Sequence, residues 1–279
     1  MKREAQAKIV DVARDYYDSE DADNFYSAIW GGEDIHVGLY NRTDDIREAS
    51  RATVLHLAAK LTGLNMGSRI LDLGSGYGGA ARVLARKYGA HVACLNLSRV
   101  ENERNRMLTA EQGLADQIRV IEGSYDAVPE PDRSFDIVWS QDAILHAPDR
   151  NEVLSEAARV LKPGGELIFT DPMQADSLVD ASVLKPIYDR IHLASLASFD
   201  FYRRTLTALG FDEIETEDLT PQLRAHYDHV GKALREKRGI LEPAISADYV
   251  DRMLAGLQHW VDGADKGWLA WGVMHYRKR

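Results

Sequence analysis

Several groups of residues have types and spacings that can do chemistry. The run Ile70-Leu71-Asp72-Leu73-Gly74-Ser75-Gly76-Tyr77-Gly78-Gly79 reads as a buried strand ending in a glycine-rich turn that opens a helix over 80–88. Glycine has no Cβ, so such a turn lets the backbone pass close to a ligand. The helix start behind it offers unpaired N–H groups to a polar ligand. A nucleoside-type cofactor is the ligand class this predicts. Gly74, Gly76 and Gly79 also fit the dinucleotide spacing, so a nicotinamide cofactor stays open on this motif alone. A tight turn that only packs helix on sheet is the plainer alternative. Asp72 stands where a dinucleotide fold usually carries an apolar residue, which argues against that cofactor.

Further along, Gln141-Asp142-Ala143-Ile144-Leu145-His146 follows a short apolar run. Asp142 can hold an ammonium or orient water, and His146 can accept a proton near neutral pH. On its own, His146 reads equally well as a helix-surface histidine. Asn96 lies twenty positions after Gly76, where this architecture places the residue that holds ribose hydroxyls. Its amide can accept and donate; the other reading is a strand-end Asn capping the next helix. Ser124, Tyr125 and Asp126 form the turn expected to border a base, or an ordinary turn. Upstream, Tyr16, Tyr17, Phe25, Tyr26, Trp30, His36 and Tyr40 crowd around Gly31-Gly32. They suit a lid that excludes water, a cage for a methylated ammonium, or a helix packed on the core by its aromatics. Arg190, Arg203 and Arg204 are candidate clamps for a substrate carboxylate, with surface ion pairs as the alternative. Trp260, Trp268 and Trp271 are expected in the core, and Cys94 is expected to be inert and buried.

Positioning these residues requires alternating strands and helices. Strands are expected over 90–97, 117–122, 135–140 and 166–170, with helices over 98–112 and 151–161 between them. Lys162-Pro163-Gly164-Gly165 stops the second of these helices. This alternation predicts a parallel sheet with helices on both faces. Helices are then expected over 177–197, 199–209 and most of 221–263, with strands over 212–219 and 267–276. Residues 1–60 and the later helices would form a cap over the strand carboxyl ends, where ligands bind in such sheets.

The chain has 279 residues and a formal charge of −10, which disfavours binding to nucleic acid by phosphate neutralisation. Its single cysteine fits a reducing compartment. No signal-peptide pattern and no bilayer-length apolar stretch is visible. A cytoplasmic protein with no membrane or nucleic-acid partner is the expectation.

The string Asp72-Leu73-Gly74-Ser75-Gly76-Tyr77-Gly78-Gly79 resembles the first motif of class I S-adenosylmethionine (SAM) methyltransferases. Five further pieces narrow the likeness: the segment Asp23 to His36, Cys94-Leu95-Asn96-Leu97-Ser98, Trp139 to His146, Thr170-Asp171-Pro172-Met173, and His259-Trp260-Val261-Asp262-Gly263. Over nearly all of its length the chain resembles the sarcosine/dimethylglycine N-methyltransferases that make glycine betaine. A phosphoethanolamine methyltransferase is also similar around Tyr26 and Asp142 to His146, which suggests Tyr17 or Tyr26 with His146 as a latch.

The resemblance implies a Rossmann-like class I methyltransferase sheet, α/β and mostly parallel, with an antiparallel last strand, a helical N-terminal lid (1–60), a SAM-binding core (61–175) and cap helices with the last two strands (176–279). It implies SAM contacts at Tyr17, Ile35, His36, Asp72, Gly74, Ser75, Gly76, Asn96, Leu97, Ser124, Tyr125 and Gln141. It places His146, Asp142 and Tyr26 in catalysis, and Trp30, Arg190 and Arg203 at a small amino-acid amine substrate, with no metal. A methyltransferase of another small amine such as phosphoethanolamine, and a non-catalytic SAM-binding protein, are the rival readings.

Overall fold

The computed structural model describes residue 14 and residues 18–191, 193–241 and 244–279. At its centre, strand β1 (Arg69–Leu73) is buried at every position but the first, as an apolar run in a parallel sheet should be. It pairs in parallel with β2 (His91–Asn96) on one side and β4 (Phe135–Gln141) on the other. β3 (Ile118–Glu122) lies outside β2, and β5 (Leu161–Gln174) outside β4. β7 (Leu269–Lys278) runs antiparallel between β5 and β6 (Phe211–Asp218). The order β3-β2-β1-β4-β5-β7-β6 gives the expected mostly parallel sheet with an antiparallel last strand. The chain reverses direction across the sheet between β1 and β4, so a crevice opens at their carboxyl ends.

Helices cover both faces. On one, α2 (Ile46–Lys60) and α3 (Gly79–Tyr88) pack through Val54, Leu57, Val83 and Leu84 against Ile70, Cys94 and Trp139. Helix α4 (Arg99–Glu111) follows β2. On the other face, α5 (Arg150–Val160) and α7 (Phe199–Ala208) pack Leu154, Tyr202 and Leu206 onto Leu71, Val138 and Phe169.

The third layer is the cap. Helix α1 (Glu20–Trp30) buries Phe25, Ile29 and Trp30 against α8 (Thr220–Leu241) and α9 (Ala247–Asp265), through Val230, Leu234, Val250 and Leu257. Among the described residues of the aromatic N-terminal segment, Phe25, Tyr26, Ile29 and Trp30 are packed with the C-terminal helices in one hydrophobic cluster. Two anchors fix it to the sheet layer: Tyr77 donates to Asp23 Oδ1 at 2.9 Å, and Arg104 pairs with the same carboxylate.

The single helix expected over 177–197 is absent. In its place stand a 3₁₀ turn (Ala181–Leu184) and the short α6 (Lys185–Arg190). Pro186 explains this, because proline is accommodated in a helix's first turn and cannot be spanned by a longer one.

Candidate active site

A cavity of about 760 Å³, its mouth included, opens at the carboxyl ends of β1 to β4. Gly74 and Gly76 form its floor, with Asn96 and Leu97 after β2, Ser124 and Tyr125 after β3, and Gln141 after β4. Gly74 has a φ of 74°, and a Cβ there would stand 2.3 Å from the Ala143 methyl. Only glycine satisfies both demands. Two buried polar atoms on the wall, Glu101 Oε1 and Gln141 Nε2, have no partner among the described residues. A floor that approaches closely and unsatisfied polar atoms on the wall fit a nucleoside-type ligand with hydroxyl and polar amino-acid groups.

Asn96 does not act alone. Its Nδ2 donates to Glu101 Oε2 at 2.8 Å, and Glu101 is 3% exposed. Glu101 therefore sets a carboxylate beside Asn96 on the wall of the same cavity. Burial pushes its pKa up to about 7, against the pull of the Asn96 hydrogen bond. Sequence reasoning passed over Glu101 because Ser98-x-x-Glu101 is also a helix-start pattern, and Ser98 does accept from the Glu101 N–H at 3.1 Å.

A second cavity of about 560 Å³ adjoins the first. Ile35, Asp142 and His146 line both. Its other walls are largely aromatic, from Phe25, Tyr26 and Trp30 on α1 and Tyr227 and Trp260 on α8 and α9. Arg190, at the end of α6, is its single arginine or lysine among the described residues. The guanidinium Nη1 lies 2.9 Å from Met253 Sδ.

Asp142 is the hinge between the cavities. It sits at φ 51°, an uncommon conformation for a residue with a Cβ. Three donors hold its carboxylate: Val37 N–H on Oδ2 (2.7 Å), and Thr170 Oγ1 (2.7 Å) and Trp271 Nε1 (2.8 Å) on Oδ1. A carboxylate accepts about four hydrogen bonds. The remaining capacity is on Oδ2, and burial raises the pKa of the group. Asp142 thus ties the N-terminal segment to β5 and β7 and still faces both cavities.

His146 is half-buried, and burial together with Arg150 and Arg190 lowers its pKa to about 4. It is therefore neutral near pH 7 and accepts hydrogen bonds, but it is a weaker proton acceptor than its ordinary value suggests. Asp171 supports the turn that carries it, accepting from Leu145 N–H (2.9 Å) and from the Tyr202 hydroxyl (2.6 Å).

Other expected contacts fall elsewhere. Arg203 is on the outer surface, 44% exposed and paired with Asp200 and Glu213, and it lines neither cavity. Its place on α7, which packs on the far face of the sheet, is the reason. Asp72 and His36 are buried but are not wall residues. The His36 ring lies 3.5 Å from Asp34, and Asp34 offsets burial to hold it above its usual pKa. Burial raises Asp72 to about 7. Ser75 likewise does not line the first cavity. Tyr125 lines it, with its hydroxyl donated to the Ala143 carbonyl (3.1 Å). Tyr26 and Trp30 line the second, and the Trp30 indole N–H donates to the His36 carbonyl. Tyr17 lies outside the described residues. Trp260 and Trp271 are buried as expected. Among the described residues no cluster of three or more His, Cys, Asp or Glu side chains is placed to hold a metal.

Residues 71–169 match a family model described as a methyltransferase domain. A sarcosine/dimethylglycine N-methyltransferase of Halorhodospira halochloris is 53% identical over 270 residues, covering 96% of each chain. A protein of the same description from Aphanothece halophytica is 48% identical over 278 residues, covering 99% of each. A solved chain from Galdieria sulphuraria, provisionally described as a sarcosine dimethylglycine methyltransferase, superposes with a TM-score of 0.89 at 44% identity, covering 94% of this chain and 98% of that one.

Proposed function

Because the chain belongs to the family of sarcosine/dimethylglycine N-methyltransferases, we propose that it transfers methyl groups from SAM to sarcosine and dimethylglycine, the second step yielding glycine betaine. The observation that carries this reading is the charge layout of the second cavity. Among the described residues its one carboxylate, Asp142, is on the wall shared with the first cavity, and its one guanidinium, Arg190, is on the wall that is not shared. An N-methylated amino acid is a zwitterion of matching polarity. Bound in register, its nitrogen points toward the first cavity and its carboxylate toward Arg190.

When bound, SAM supplies a methyl on a positively charged sulfur that an amine lone pair can displace. The protein's part is to orient and to exclude water. Arg190 anchors the carboxylate through charge-assisted hydrogen bonds. Tyr26, Trp30 and Tyr227 line the cavity, and aromatic rings attract a cationic methylated nitrogen. Before attack, the N–H of the protonated substrate amine is donated to Asp142 Oδ2 or to the neutral His146 ring. Burial lowers the amine pKa, so the proton leaves before attack. His146, with a pKa of about 4, does not hold that proton near neutral pH and passes it on to solvent water as the acceptor. Fixing both reactants in this way supplies up to roughly 7–11 kcal/mol of the barrier reduction.

In the first cavity, Asn96 and Glu101 would hold the ribose hydroxyls, Gly74 and Gly76 would lie against the amino-acid end, and Ser124 and Tyr125 would border the adenine. We assign the product the role of an osmoprotectant made in the cytoplasm. The acidic composition suits that setting, and no described helix is long and apolar enough to cross a membrane.

The test incubates the protein with SAM and, separately, glycine, sarcosine, dimethylglycine and phosphoethanolamine, and follows S-adenosylhomocysteine and methylated product by mass. Betaine from sarcosine and dimethylglycine is expected. Turnover of phosphoethanolamine alone, or of none of the four, would sink the reading.

A further inference from the structure

Trp260 is 1% exposed, lines the second cavity, and carries an indole N–H with no partner among the described residues. A buried tryptophan N–H usually finds an acceptor, and an orphaned one costs stability that a ligand can recover. The ring is held in place by stacking on Tyr227, with centroids 4.9 Å apart and planes 17° from parallel.

One helical turn earlier on α9, Gly256 leaves space that the Arg190 side chain fills. A Cβ at Gly256 would meet Arg190 Cδ at 1.8 Å. Residues four apart share a helix face, so the face of α9 against which the Arg190 side chain packs is the face that carries Trp260, and both residues line the cavity.

The two described histidines on that cavity add no charge. His226 Nδ1 accepts from the Gly38 backbone N–H (3.2 Å), which can only donate. The Tyr40 hydroxyl is 2.8 Å from the same nitrogen and is its second donor. The ring's one proton is then on Nε2. Burial keeps His226 neutral, with a pKa near 3, and His146 is neutral as well. Among the described residues the cavity therefore presents one cation.

Resting on the reading above, we propose that the Trp260 indole N–H is the second arm of a carboxylate clamp whose first arm is Arg190. One cation and one neutral donor match a singly charged carboxylate, while a phosphate would leave a charge unpaired in an aromatic cavity. The clamp therefore selects amino-acid amines against phosphorylated ones.

The experiment compares the full-length protein with W260F, which keeps a ring and removes the donor. The KM for dimethylglycine should rise roughly 10- to 100-fold, the loss of one hydrogen bond to a charged group. The kcat should stay within about threefold and SAM affinity should not change, as for a contact made equally in ground and transition states. A second readout uses the wild-type protein loaded with S-adenosylhomocysteine and ¹⁵N-labelled at tryptophan. Saturating dimethylglycine should shift the Trp260 indole resonance, and N,N-dimethylethanolamine, which lacks the carboxylate, should not. A wild-type KM in a W260F protein that binds SAM normally, or an unmoved indole resonance, overturns the clamp while the methyltransferase assignment stands. If W260F fails to fold, the resonance decides. If the wild-type protein does not methylate dimethylglycine at all, the assignment falls and the clamp falls with it.

Discussion

Asn96 at the end of β2 lacks the acidic group usual at a ribose site, and in the proposed cofactor site Glu101, five residues on, would make up for it. A carboxylate held neutral by burial is a better acceptor once ionised, and a bound diol favours ionisation by donating to it. Glu101 sits near 7 in the folded protein, so cofactor binding should draw a proton off it. S-adenosylhomocysteine affinity should then weaken as pH falls from about 8 to about 6, by at most tenfold per pH unit, and Glu101→Gln should flatten the slope. Calorimetry in two buffers of different ionisation enthalpy measures both the affinity and the proton released. An identical slope in the Gln variant would assign the proton to another group, Asp72 and Asp171 both being raised to about 7. Asn96 was legible from its spacing to the glycine turn. Glu101 was not, because its helix-start role accounted for it fully in one dimension.

The same ambiguity appears in the elements. The α9 residues Met253, Gly256, Leu257 and Trp260 follow the period of a buried helix face, and all but Gly256 line the second cavity. Nothing in that period separates a cavity wall from a core. Gly256 shows the difference, since its missing side chain is the room Arg190 needs. Gly256→Ala should expel the guanidinium, raise the KM for dimethylglycine at least tenfold, and cost about 1–3 kcal/mol of stability through overpacking. Arg203→Ala, on the outer face of α7, should change the KM little. Steady-state kinetics on the two variants distinguishes the arginines, and a large effect at Arg203 with none at Gly256 would reverse the assignment.

At the scale of the molecule, α1 behaves as part of the cap. It buries Phe25 and Ile29 against α8 and α9, and the segment after it is tied down by Val37 N–H on Asp142 and Gly38 N–H on His226. Helix α1 should therefore open with α9, with amide protection of similar size in the ligand-free protein. Hydrogen exchange resolved by segment tests this. Fast exchange in 20–30 beside slow exchange in 247–265 would show a free-standing lid.

The sequence by itself determined the sheet, its order of elements and the glycine turn, because buried parallel strands and βα turns are written in runs of adjacent residues. It also supplied the family. Only the tertiary structure decided which arginine lines the second cavity, that Asp142 is held by three protein donors, and that Glu101 and Trp260 stand on cavity walls. Each of those depends on what packs against a side chain from far along the chain. Arg190 and Arg203 are alike as sequence, but α6 crosses α9 beneath the cap while α7 lies on the far face of the sheet.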